Sequence, residues 1–293
     1  TPAPPPGRSQ RTVEVELGRG CVPGCALCAA APATSELDRA LAGGAARVVV
    51  RGGGGELATL ASVIARARAA GAAEVVVAGH VDALTDPAAA RAWAAAGIDA
   101  VLVPVVSHAP LVHDRAIGRD GALVATLVAV RALAAAGVAI ELDVPIVGAR
   151  LQDLGAVLEL FARAVPSLAA VRLRLPRHAV PRALAPPPLD ELAPRLEAAL
   201  AVAERLGVRA PLDVIAALPL CAVVPSPRAQ AAVRFDPRRP THVSGCTQPA
   251  ACAGCAVASA CPGVPAPYLA AHGVRGVRPL EIRPAALFAQ RTT

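Results

Sequence analysis

Six short runs of β-branched and aliphatic residues, each followed by a run with helical spacing, constrain this chain more than any other feature. Val13 to Leu17, Arg47 to Arg51, Glu74 to Ala78, Ala100 to Val106, Val138 to Ile146 and Ala169 to Leu175 read as strands. Near-continuous apolar runs of this length suit strands covered on both faces. Helices are predicted from Ala58 to Ala70, from Asp86-Pro87 to Gly97, from Gly121 to Ala136, from Asp153 to Val165 and from Asp190 to Leu206. Gly71, Gly97 and Gly137 stand where a helix ends in a left-handed residue, and Asp86-Pro87 supplies an N-cap and a first-turn proline. Ser35 and Asp38 have the spacing of a capping box for a further short helix.

Successive βα units wind right-handed into a parallel sheet with helices outside. Six units fall short of the eight in a closed barrel. The expected class is therefore α/β: a partial (β/α)6 TIM-like barrel, followed by a small irregular metal-bound C-terminal lobe. A doubly wound sheet fits the rhythm too. The position of the motifs decides against it, because they follow strand carboxyl ends, where barrels build active sites. The chain divides into a proline-rich, disordered segment 1–11, a barrel over 12–215 and the lobe over 216–293.

The first motif is Cys21-Val-Pro-Gly-Cys25-Ala-Leu-Cys28, directly after the first strand. Pro23 and Gly24 are turn residues, so these thiols belong to a loop rather than to a packed element. Closed zinc sites take four ligands. Four thiolates are also the norm for a four-iron cluster, and a loop offering three leaves one iron open to a substrate. Gly52-Gly53-Gly54-Gly55-Glu56 follows the second strand. Glycines allow close backbone approach and positive φ, and Glu56 suits an ammonium group. Leu57 stands where a dinucleotide fingerprint needs its third glycine.

The second cysteine group is Cys246-x5-Cys252-x2-Cys255-x5-Cys261, with Cys221 upstream. Four cysteines in a small loop-rich lobe describe a structural zinc ribbon as well as an iron–sulfur site. Five thiols are too few for two fully cysteine-ligated clusters, so four of the five are expected to hold one.

The chain carries a formal charge of +7, all of its positive side chains being arginine. The arginines are scattered along amphipathic stretches, and no basic run interleaves with aromatics, so nothing argues for nucleic acid. No charged n-region with an apolar h-region opens the chain, and no apolar run is long enough to span a bilayer. A cytoplasmic protein with no membrane segment is expected, in which eight cysteines imply metal or redox chemistry rather than disulfides. Methionine is absent, so residue 1 is not a natural start and an upstream piece is expected.

Cys21-x3-Cys25-x2-Cys28 after the first strand, the glycine-glycine-glutamate after the second and the six βα units together resemble the radical S-adenosylmethionine (SAM) enzymes over roughly residues 12–215. The resemblance implies that Cys21, Cys25 and Cys28 bind a [4Fe-4S] cluster whose fourth iron chelates SAM. It implies reductive cleavage of SAM to a 5′-deoxyadenosyl radical that abstracts a substrate hydrogen. Gly53, Gly54, Gly55 and Glu56 would contact the SAM amino group, and Ser107 the ribose. Ser107 at a strand end is equally ordinary turn chemistry. Two positions depart from the family's pattern: Leu27 replaces an aromatic and Leu57 a proline.

The C-terminal cysteines, with Cys261-Pro-Gly, Tyr268 and His272-Gly273, are similar to the SPASM or twitch extensions that carry auxiliary clusters. One auxiliary [4Fe-4S] cluster is implied, held by four of Cys221, Cys246, Cys252, Cys255 and Cys261. A peptide or small-molecule substrate is implied, with a reductant such as ferredoxin or flavodoxin. Two other readings stand beside this one: a zinc-stabilised binding module without catalysis, and a degenerate homologue that holds a cluster without cleaving SAM. His113-Asp114 reads as a proton-transfer pair or as helix capping, and His80 and His178 follow strands three and six.

Overall fold

The computed structural model describes residues 12–16, 41, 45–52, 57–148, 153–177, 180–212, 216–234, 243 and 245–281. Six strands form one sheet in sequence order: β1 (Thr12–Glu16), β2 (Arg47–Arg51), β3 (Glu74–Ala78), β4 (Ala100–Pro104), β5 (Ala139–Pro145) and β6 (Ala170–Arg174). Every neighbouring pair is parallel. Parallel neighbours in sequence order require a crossover after each strand. The described crossovers are α1 (Leu57–Ala69), α2 (Pro87–Ala95), α3 (Pro110–Ile117) with α4 (Ala122–Ala135), and α5 (Leu154–Ala164). Helix α6 (Leu189–Arg205) follows β6. The sheet is the expected half-barrel.

Local chemistry sets the boundaries. Asp86 accepts a hydrogen bond from the Ala88 N–H at 2.9 Å, and Pro87 opens α2. Asp153 does the same for α5 through Ala156 at 3.0 Å. Helix α3 was not expected from the sequence. It starts at Pro110 and stops at Gly118, whose φ of 76° closes it.

The two faces of the sheet differ completely. Outward residues such as Val48, Val50, Val77, Val103, Leu142 and Leu173 join Leu60, Leu133, Phe161 and Leu196 of the helices in one buried core. Each fully buried side chain of this kind contributes roughly 1.5–3 kcal/mol. The inward face is apolar only in the middle, where Val49, Val76, Ala78, Ala100 and Leu102 form their own small cluster. Its flanks carry charges at alternate positions, as the two-residue period of a strand requires.

Those charges pair across the barrel in two layers. In the lower layer, Arg47 reaches Glu74 at 2.6 Å and Glu141 at 2.7 Å, and Arg172 reaches Glu141 at 3.1 Å. In the upper layer, Arg51 pairs with Glu14 and lies 3.4 Å from Asp143. Arg174 lies 2.5 Å from Asp143 and Arg177 3.1 Å from Glu14. Burial opposes ionisation of Glu14, Glu141 and Asp143, but the facing guanidinium groups outweigh it and hold all three pKa values below the ordinary carboxylate range. Ion pairs thus fill the inner face both below and above its apolar centre.

Beyond α6 the elements shorten: α7 (Leu220–Val223), α8 (Pro227–Ala232), a hairpin of β7 (Cys246–Thr247) with β8 (Val264–Pro265), and α9 (Ala266–His272). Val257, Val264, Tyr268 and Leu280 of this region join the main core. No described helix is long and apolar enough to cross a membrane.

Candidate functional site

Cys21, Cys25, Cys28, Gly53, Gly54, Gly55, Glu56 and His178 lie outside the described residues, as do segment 1–11 and the Ser35–Asp38 capping box. What is described is the frame that carries the two loops. Strands β1 and β2 are adjacent and in register, with Glu16 opposite Arg51. Both loops therefore leave neighbouring strands at the same edge of the sheet. Gly52, with φ at 82°, turns the chain off β2.

The ends of β3 and β4 hold a buried polar group: His80, Asp82, Ser107, His113 and Asp114 are each less than a tenth exposed. Ser107 Oγ accepts the Ala109 N–H at 3.2 Å, the turn chemistry expected of a serine at a strand end. Asp114 accepts from the Gly121 N–H at 2.8 Å and the Leu123 N–H at 2.9 Å, so it caps α4. The capping reading of Asp114 holds. His113 Nδ1 accepts the Val106 N–H at 3.3 Å, which assigns the proton to Nε2, and that atom is buried with no partner among the described residues. Burial, with the neighbouring His80 adding to it, lowers the His113 pKa from 6.5 to about 4, so the ring is neutral at physiological pH.

The five described cysteines are all free thiols. They divide into two environments. Cys221 belongs to the main core, with Cys255 and Cys261 packed against it. Cys246 sits in a separate cluster with Ala217 and Val243. Backbone N–H groups point at the first set: Leu220 and Gly263 donate to Cys261 Sγ at 3.4 and 3.5 Å, and Leu280 donates to Cys255 Sγ at 3.3 Å. Burial raises the Cys252 pKa, and the charges of Cys221 and Cys255 raise it further. Cys261 is pushed up to about 11 by burial, a shift that Cys221 and Cys252 enlarge. Cys246 is also pushed to about 11 by burial; Arg177 opposes the shift and Cys261 adds to it.

A donor set of four thiols with N–H groups aimed at the sulfurs suits metal–thiolate chemistry, because such donors stabilise the charged form of the ligand. Among the described residues no three His, Cys, Asp or Glu side chains converge closely enough for one metal ion. At a Zn–S distance near 2.3 Å, a tetrahedral zinc holds its sulfurs about 3.8 Å apart.

Two glycines allow close backbone approach, Gly245 against the barrel and Gly263 within the lobe's own hairpin. A Cβ at Gly245 would lie 2.5 Å from the Arg177 carbonyl, and one at Gly263 would lie 2.7 Å from that of Thr247. Both have positive φ. Tyr268 adds a second tie: its hydroxyl accepts the Leu189 N–H at 3.0 Å and donates to the Arg275 carbonyl. His272 packs on the Tyr268 ring at 5.0 Å and meets the Pro186 carbonyl at 2.7 Å.

The described sheet is a six-stranded parallel half-barrel, and several solved structures share that fold. The methylornithine synthase PylB superposes with a TM-score of 0.54 at 13% identity, over 76% of this chain and 70% of that one. The FeFe-hydrogenase maturase HydG from Carboxydothermus hydrogenoformans superposes with a TM-score of 0.52 at 13% identity, over 69% of this chain and 53% of that one. SuiB from Streptococcus suis, solved with S-adenosylmethionine, gives 0.51 at 10% identity, over 69% and 50%. The chain spans about half the length of the HydG and SuiB structures it matches. No protein-family model and no curated protein matches the sequence.

Proposed function

We propose that this chain is a radical SAM enzyme, with Cys21, Cys25 and Cys28 holding a [4Fe-4S] cluster and Gly53, Gly54, Gly55 and Glu56 contacting SAM. The observation that carries the reading is the coincidence of a three-thiol loop after β1, a glycine-glutamate loop after β2 and a six-stranded half-barrel with those strands side by side. When bound, such a cluster supplies the electron that splits SAM into methionine and a 5′-deoxyadenosyl radical able to take hydrogen from an unactivated carbon.

The chain's own contribution is position and dryness. The apolar centre of the inner face and the ion pairs beneath it close the floor of the barrel, and both loops leave its carboxyl ends. Neutral His113 offers an Nε2–H rather than a charge beside that end. The substrate we propose is a peptide or small natural product, and the electron donor a ferredoxin or flavodoxin, in the cytoplasm.

An auxiliary [4Fe-4S] cluster in the lobe completes the reading. The shared packing of Cys221, Cys255 and Cys261, the N–H donors on their sulfurs and the effect of Cys221 and Cys255 on Cys252 support those four as its ligands. Cys246, beside Arg177 and in a different cluster, is left out. Binding would deprotonate thiols that burial otherwise keeps protonated, releasing protons as the lobe is ordered.

Anaerobic reconstitution tests both parts. About eight irons per chain are expected, four of them lost in Cys221→Ala and none in Cys246→Ala. Stoichiometric zinc without iron would overturn the assignment in favour of a binding module. Iron without 5′-deoxyadenosine on addition of SAM and dithionite would leave a degenerate homologue.

A further inference from the structure

The two edges of the half-barrel do not meet. Strand β1 forms one edge. At the other, the segment 209–212 lies beside β6: the Val171 N–H donates to the Arg209 carbonyl at 2.8 Å, and Leu212 pairs with Val233. Between these edges, at the amino-terminal end of the strands, lies a cavity of about 540 Å³. Cavities that hold small molecules run from about 300 to 1,000 Å³.

Five arginines line it, Arg47, Arg172, Arg209, Arg228 and Arg234, against one carboxylate, Glu204. The charges are not evenly matched. Arg47 and Arg172 share one oxygen of the buried Glu141. Arg228 bonds to Glu197 and Glu204. Arg209 and Arg234 are exposed, and among the described residues neither meets a carboxylate. Arg209 Nε donates only to the Ala169 carbonyl at 3.2 Å. Arg234 donates only to the Ala231 and Val233 carbonyls at 2.6 and 3.1 Å. Arg47 Nε is buried and meets no acceptor among the described residues. Leu200, Val208 and Pro211 give the cavity apolar walls.

A guanidinium presents a planar fork that matches phosphate and carboxylate oxygens two at a time. Two such forks with no carboxylate partner among the described residues, at the mouth of a concave, apolar-walled space, define a recognisable ligand chemistry. We propose that this cavity binds a small multivalent oxyanion, phosphorylated or polycarboxylate, held by Arg209 and Arg234 over the Arg47–Glu141–Arg172 floor. The site lies at the strand ends opposite the cysteine and glycine loops, so it is separate from the proposed chemistry and does not rest on it. A bound anion here competes with Glu141 for Arg47 and Arg172, the pair that closes the lower barrel.

Calorimetric titration of the full chain at low salt, with pyrophosphate and with citrate as probes, tests the proposal. Saturable one-to-one binding of at least one probe is expected, weakening as salt is raised. The tighter of the two names the ligand class as phosphoryl or carboxylate. The double variant Arg209→Gln, Arg234→Gln should lose about tenfold or more in affinity with an unchanged circular-dichroism spectrum. Should the double variant misfold, each single variant is expected to show a smaller loss of the same kind. Saturating SAM should leave the affinity unchanged. Absence of saturable binding, equal affinity in the folded variants, or competition by SAM would overturn the proposal, the last because it would put the anion at the other end of the barrel.

Discussion

The barrel and the cysteine lobe are held together by different physics. The barrel's outer face buries a continuous layer of Val, Leu and Ile against helices, and among the described residues its inner face is locked by seven arginine–carboxylate contacts. The described part of the lobe has strands of two residues, helices of one or two turns and free thiols. It borrows the barrel's core through Val257, Val264 and Tyr268 rather than building its own. A scaffold that folds on apolar burial can present a reactive loop without depending on it.

That contrast can be broken from either side. The largest effect is expected in the lobe. Cys252→Ala with Cys255→Ala should remove about half the iron and make residues 245–281 sensitive to proteolysis, while the barrel's helical circular dichroism persists. Cooperative loss of the whole spectrum would show that the two regions are one folding unit.

The next largest lies inside the barrel. Asp143→Ala leaves Arg51 and Arg174 without their shared buried partner, and breaking such a pair costs about 3–5 kcal/mol. Denaturant unfolding of the anaerobic protein should register that loss, and a change within ~0.5 kcal/mol would mean that the network is solvated.

His113 supplies a pH test of similar size. Its pKa is depressed in the folded chain, so the unfolded chain binds more protons between the two values. Stability is therefore full above 6.5 and falls as pH drops towards about 4. The shift corresponds to about 3 kcal/mol. His113→Phe should flatten stability against pH in the upper part of that window, from about 5.5 to 6.5, above the range where the lowered carboxylates begin to contribute. An unchanged slope would place the titration elsewhere. The smallest effect is expected of Tyr268→Phe, which removes the donor to the Arg275 carbonyl and should cost about 1–2 kcal/mol in denaturant unfolding. No loss would show that the hydroxyl does not tie α9 to α6.

The barrel was legible because its signals are local. The six apolar runs and the glycine and Asp-Pro punctuation mark strands and helices to within one or two residues of those observed. Helix α3 was hidden because Leu111 to Asp114 mixes apolar and charged residues over too few turns to show a period. The charges at Glu14, Arg47, Arg51, Glu141, Asp143, Arg172 and Arg174 show the two-residue strand period in the sequence. Their pairing spans 31 to 94 residues, which only the curl of the sheet brings together. The cysteines were legible as a set, but spacing alone could not separate Cys246 from the others, since that division depends on which cluster each thiol packs into.

The central claim concerns the loop after β1, and one measurement addresses it directly. Anaerobically reconstituted protein is incubated with SAM and dithionite, and 5′-deoxyadenosine is quantified beside the Cys21→Ala, Cys25→Ala, Cys28→Ala triple variant. The account predicts product from the parent chain and none from the variant, which should keep the lobe's iron. Deoxyadenosine formation that survives the triple substitution would contradict it.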